Sequence, residues 1–130
     1  MPRLPLALAL LLACLVFCLL AFCLPEAHAA VPYEGRWAED PASCRNTRSS
    51  NTDDLPIVIT RRMIETFASS CRVLSVTRKG AVWRLRTSCR DEGQTETEPR
   101  IPNTVTLRVN GNRLSMHDIN GAQSFTRCPR

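Results

Sequence analysis

Lysine is almost missing from this sequence. Lys79 is the only one among 17 cationic residues, so the net charge of +5 is carried by arginine. Beyond Arg3, the arginines run from Arg36 to Arg130 without a dense cluster, which argues against nucleic-acid binding, where basic side chains concentrate on one stripe. Glycine is scarce too, five in all, and none stands in a glycine-rich phosphate cradle. Histidine is limited to His28 and His117, so a cysteine or serine nucleophile has little choice of base. No Gly-x-Ser-x-Gly elbow occurs, which removes one familiar serine-hydrolase arrangement. No Cys-x-x-Cys occurs either, and structural zinc sites usually need such closely spaced pairs. After Leu24 there is no second long apolar run, so the remainder of the chain is not expected to cross a membrane as a helix.

What is present begins with an export signal. Met1 to Arg3 form a short positive start, Leu4 to Leu24 an apolar run broken only by Pro5, and Ala27 and Ala29 are small residues where a signal peptidase reads. Cleavage is expected after Ala29, giving a signal peptide over 1–29 and one domain over 30–130. The apolar run is long enough that an uncleaved membrane anchor is the alternative.

Seven cysteines are reduced to four by that cleavage: Cys44, Cys71, Cys89 and Cys128. An even number in a small exported domain predicts two disulfides. Their separations of 27, 18 and 39 residues suit staples better than metal ligands.

The remaining sequence reads as all-β, a small antiparallel barrel or curled sheet of six to eight strands behind an N-terminal signal helix. Short apolar runs alternate with turn residues throughout. "YEGRWA" is a first strand with Trp37 facing inward, and "IVIT" from Ile57 is a β-branched strand. Between them, "PASCRNTRSSNTDDLP" is a long polar loop pinned by Cys44. The segment from Arg62 to Ser70 fits both strand and helix spacing, with strand favoured. A two-residue turn at Lys79-Gly80 would pair Val76 with Trp83 and Leu74 with Leu85, all four on the core face. Asn110-Gly111 marks another hairpin, and "GAQSFTRC" is the last strand.

That first hairpin bears on the cysteines. It sets Cys71 opposite Ser88 and turns Cys89 to the other face, so Cys44–Cys71 with Cys89–Cys128 is the preferred pairing. A bulge in the hairpin would undo this argument.

Two features stand out as candidate sites. Arg84 and Arg86 share an outward face with Ser75 and Val73, a row that Arg78 or Arg90 could extend, and paired guanidiniums grip phosphate or carboxylate groups bidentately. The disulfide-pinned loop over 45–55 could present a binding surface. His117-Asp118 reads as an exposed pair at a strand end. The acidic residues Glu39-Asp40, Asp53-Asp54, Asp91-Glu92, Glu96 and Glu98 read as solvated loop charge without convergence. No pattern calls for a cofactor or a metal, and no base, nucleophile and stabiliser assemble into an enzyme.

"GRWAEDPASC" at Gly35 to Cys44, Ser70-Cys71, Cys89 with Glu92-Gly93, and Arg127-Cys128-Pro129 together resemble a recurring family of small exported four-cysteine proteins of Gram-negative bacteria. The resemblance implies a signal peptide, a β-rich domain, two disulfides and a periplasmic home, and it favours strand over 62–70. It carries no catalytic or ligand residue. The general build is also similar to small disulfide-tied β-barrel inhibitors of bacterial proteases and lysozymes, a likeness of architecture alone. The expected function is a non-enzymatic binding or structural module of the cell envelope, with an envelope protein or an anionic envelope surface as partner. A small inhibitor of a protease or lysozyme is the alternative.

Overall fold

A computed structural model describes residues 30–130; the expected signal helix and the expected cleavage after Ala29 lie outside the described residues. Eight antiparallel strands form a closed up-and-down barrel: β1 (Gly35–Ala38), β2 (Ile57–Ile59), β3 (Met63–Glu65), β4 (Ser69–Lys79), β5 (Val82–Asp91), β6 (Ile101–Asn110), β7 (Arg113–Asp118) and β8 (Gly121–Arg127). Each strand pairs with its neighbours in sequence, and β8 returns to β1 through Trp37–Arg127 and Ala38–Thr126. The segment over 62–70 is extended, split between β3 and the start of β4.

Period-two alternation decides which side chains fill the barrel. On β5, Trp83, Leu85, Thr87 and Cys89 are buried while Arg84 and Arg86 are exposed. The same rule turns in Ile57 and Ile59 on β2, Val105 and Leu107 on β6, and Leu114 and Met116 on β7. Each such side chain removed from water contributes roughly 1.5–3 kcal/mol. Among polar groups inside, Thr87 donates its hydroxyl to the Asn103 carbonyl at 3.2 Å.

One end of the barrel is sealed by the residues leading into β1. A turn closed by Glu34 N–H to the Val31 carbonyl, 2.9 Å, drops Tyr33 edge-on against Trp83 with ring centroids 5.8 Å apart. The Trp37 indole N–H donates to the Tyr33 carbonyl at 2.9 Å. Arg127 lies over the Trp37 ring at 4.0 Å and donates to the carbonyls of Glu34 and Pro32. Gly35 is required here: its φ is +143°, and a Cβ would meet the Arg127 guanidinium at 2.8 Å.

The cysteines pair differently from the sequence expectation: Cys44 with Cys128, and Cys71 with Cys89. Two local features account for the change. The β4–β5 turn is Gly80-Ala81, with Lys79 opposite Val82, because Gly80 supplies the positive φ of +59° that the first turn position of a tight hairpin demands. A bulge between Val73 and Ser75 then shifts the register by one residue. Cys71 thereby falls opposite Cys89, both inward and buried. The burial expected for Val76 and Leu74 is corrected as well. Val76 lies opposite Leu85 and is 42% exposed, and Leu74, the bulged residue, is 57% exposed. Val73, expected outside, packs against the core.

Cys44 sits in a short 3-10 helix, Pro41–Arg45, capped by the Asp40 carboxylate accepting from Ala42 N–H at 2.9 Å. The disulfide to Cys128 ties this helix to the end of β8. Two intramolecular disulfides mark an oxidising, extracytoplasmic setting. Among the described residues, no helix is long and apolar enough to cross a membrane.

Candidate anion-binding face

Arg84 and Arg86 stand where the alternation of β5 puts them, on the outer wall of the barrel. Register sets their neighbours: Arg84 lies between Thr77 of β4 and Thr106 of β6, and Arg86 between Ser75 and Thr104. Thr106 is in turn opposite His117 of β7. The two arginines, the two β6 threonines and His117 line one shallow groove of about 510 Å³. Leu74 and Ile119 also line it, and both are more than half exposed. Asp118 lines the same groove, with its carboxylate accepting from Asn120 N–H at 2.7 Å.

The guanidiniums are uncommitted. Among the described residues the ion pairs are Arg61–Glu34 and Arg90–Glu96, and neither Arg84 nor Arg86 has a side-chain partner. The proposed extensions of the row do not join it. Arg78 turns to the other face, 4.9 Å over the Trp83 ring, and donates to the Gly80 carbonyl. Arg90 is held by Glu96. What remains is two forked donors, two hydroxyls and an imidazole around a depression with an apolar edge, with the Asp118 carboxylate, engaged by Asn120 N–H, also in its lining. That set suits a phosphate or carboxylate carried on a partly apolar body.

His117, expected to be exposed beside Asp118 at a strand end, is exposed there and also joins the groove. Its position on β7 gave no signal, because its tie to the arginines runs through register across two strands.

The 45–55 loop is not a free presenting loop along its length. It lies against the outer side of β1–β3, where Arg36 donates to the Cys44 carbonyl at 3.0 Å and the Asn46 amide donates to the Asp54 carbonyl at 2.8 Å. Ser43 is buried and donates to the Asp54 carboxylate. The segment acts as a strap.

Part of the loop charge does converge, where no convergence was expected, although Asp40, Glu96 and Glu98 stay outside it. An up-and-down barrel returns every second connection to the same end. Glu39, Asp53, Asp54, Asp91, Glu92 and Asp118 therefore rim one opening of about 700 Å³, with Met116 and Phe125 among its apolar lining. Among the described residues no three His, Cys, Asp or Glu side chains come close enough together to hold a metal ion. The opening is a broad acidic rim at the end opposite the aromatic seal.

Compared with protein-family models, characterised proteins and solved structures, the chain matches none.

Proposed function

We propose that this chain is a non-enzymatic binding module of the cell envelope. It is exported by a signal removed after Ala29, and it works in the periplasm by gripping anionic groups on the β5–β6–β7 face. The observation that carries this reading is the pair of guanidiniums, Arg84 and Arg86, without an ion-pair partner among the described residues and sharing one groove with Thr104, Thr106 and His117. Apolar Leu74 and Ile119 at its edge favour an amphiphile, such as a phospholipid surface, over a free ion.

The test is sedimentation with anionic phospholipid vesicles, using neutral vesicles as control. An arginine near an anionic surface is worth enough that Arg84→Ala with Arg86→Ala should bind about thirtyfold more weakly. Parental binding should also fall as salt shortens the screening length below about 8 Å. Equal binding by a folded double variant refutes the assignment.

A second reading, a small inhibitor of a protease or lysozyme, draws support from the acidic opening, which offers carboxylates to a cationic hydrolase. Stoichiometric loss of hydrolase activity, insensitive to the Arg84 and Arg86 substitutions, would favour it.

A further inference from the structure

The barrel is closed, yet its unequal strands leave open edges among the described residues, on β6, on β8 and, longest of the three, on β4. β4 is the longest strand, 11 residues, while β3 has only 3. Pairing between them ends at Met63–Arg72, and the next main-chain bond, Val73 N–H to the Arg62 carbonyl at 2.8 Å, is the last. From Leu74 to Lys79, β4 has β5 on one side and, among the described residues, no strand on the other. Six residues of open edge extend about 20 Å.

The hairpin geometry says which groups are open. With a two-residue turn, Lys79 and Val82 exchange main-chain hydrogen bonds, and strict alternation then applies back along β4. Thr77 bonds towards β5, whereas Val76 and Arg78 direct N–H and C=O away from the sheet. Beside these groups lie exposed apolar side chains, Leu74 and Val76.

The charge around the edge selects its occupant. Between Thr66 and Arg90 there is no acidic residue, while Arg72, Arg78, Lys79, Arg84 and Arg86 all fall in that stretch. A second copy pairing edge to edge would bring two such basic hairpins within a screening length of about 8 Å. The bulge at Leu74 and the charge of Lys79 are devices that natural edges use against self-pairing. An acidic partner meets the opposite field.

We propose that the Leu74–Lys79 edge of β4 accepts an extended segment of another protein as an added strand. Its apolar residues alternate with acidic ones, apolar side chains lying towards Val76 and carboxylates towards Thr77 and Lys79. The main-chain groups supply affinity and the alternation supplies selectivity, as in other strand-addition interfaces. This site does not rest on anion binding at Arg84 and Arg86, since its main-chain donors and acceptors belong to β4.

The experiment uses protein expressed from the full chain and a fluorescent nonapeptide alternating valine with glutamate. A peptide with lysine in place of glutamate is the control. Anisotropy should show saturable binding of the acidic peptide alone, and hydrogen exchange should show the Val76 and Arg78 amides newly protected. Val76→Pro removes an outward N–H without touching the bonds to β5, so it should weaken binding about tenfold or more. Equal binding by that variant, or binding that leaves both amides exchanging freely, overturns the proposal. So does concentration-dependent self-association that protects the same amides, because the occupant would then be a second copy. If Val76→Pro fails to fold, the amide protection in the parent chain decides.

Discussion

The two walls of this barrel are held in different ways. β4, β5 and β6 are 11, 10 and 10 residues long, and long main-chain ladders run between them, interrupted by the bulge at Leu74. β1, β2 and β3 are 4, 3 and 3 residues long, and β1 meets β8 through only two residue pairs. A seam so short cannot be secured by ladder bonds of about 1 kcal/mol each. Side chains and a covalent bond do that work instead: Trp37, Tyr33 and Arg127 at the sealed end, and the strap over 41–56 tied by Cys44–Cys128. The candidate anion-binding groove lies on the laddered wall, where side-chain positions are fixed by register. The difference teaches where rigidity comes from: repetition on one side, individual contacts on the other.

The disulfides offer the largest test of that contrast. Cys44–Cys128 closes 84 residues across the seam, and Cys71–Cys89 closes 18 within a hairpin that the ladder already holds. Loop-closure entropy alone assigns about 4.5 kcal/mol to the first and about 3 kcal/mol to the second. Replacing each pair with alanine and measuring denaturant midpoints should reproduce that order. Native-state hydrogen exchange should also show β1 and β2 opening first when the strap is cut. If removal of Cys71–Cys89 proves more costly, the seam is not the weak line of the fold.

A smaller effect separates two arginines in similar settings. Arg127 covers Trp37 and donates to two backbone carbonyls that fix the entry to β1. Arg78 covers Trp83 on the laddered wall and donates to one carbonyl within its own turn. Charged hydrogen bonds and cation–π contact predict a loss of about 2 kcal/mol for Arg127→Met. For Arg78→Met, in an exposed turn, the loss should be under about 1 kcal/mol. Arg127→Lys should not restore stability, since one ammonium does not span both carbonyls while lying flat on the indole. Thermal melting of the three variants checks the ranking, and equal losses would erase the distinction between the walls.

Sequence patterning made the laddered wall legible and the seam much less so. Alternation along Trp83, Arg84, Leu85 and Arg86 identified both the core and the outward arginine pair. Hairpins were expected around Gly80 and Gly111, each one residue short of its turn, which comprises Gly80-Ala81 in one and Gly111-Asn112 in the other. Cysteine pairing was not legible, because it depended on that offset and on a one-residue bulge, neither of which leaves a periodic trace. Closure was also hidden: only when β8 returns to β1 do Cys44 and Cys128 meet, or the dispersed carboxylates gather at one mouth. His117 joined the arginine groove for the same reason, through cross-strand register rather than proximity in sequence.

The smallest expected effect lies at the sealed end and appears only in alkali. Tyr33 is the one tyrosine of the chain, and burial, reinforced by the charge of Glu34 and partly opposed by Arg61, pushes its phenol above the ordinary value of 10.0. In the unfolded chain the phenol loses its proton near its ordinary value, while the native barrel still holds it. Between the two values the native state binds more protons, so stability falls as pH rises. The contribution is intact below about pH 10 and is lost through the raised native value. Phenolate absorbance, which here reports Tyr33 alone, should therefore titrate later in the folded protein than in urea. Urea midpoints should drop as pH rises above about 10 in the parent and drop less in Tyr33→Phe. If phenolate appears at the same pH folded and unfolded, water reaches Tyr33, and the sealed end is as open as the acidic mouth across the barrel.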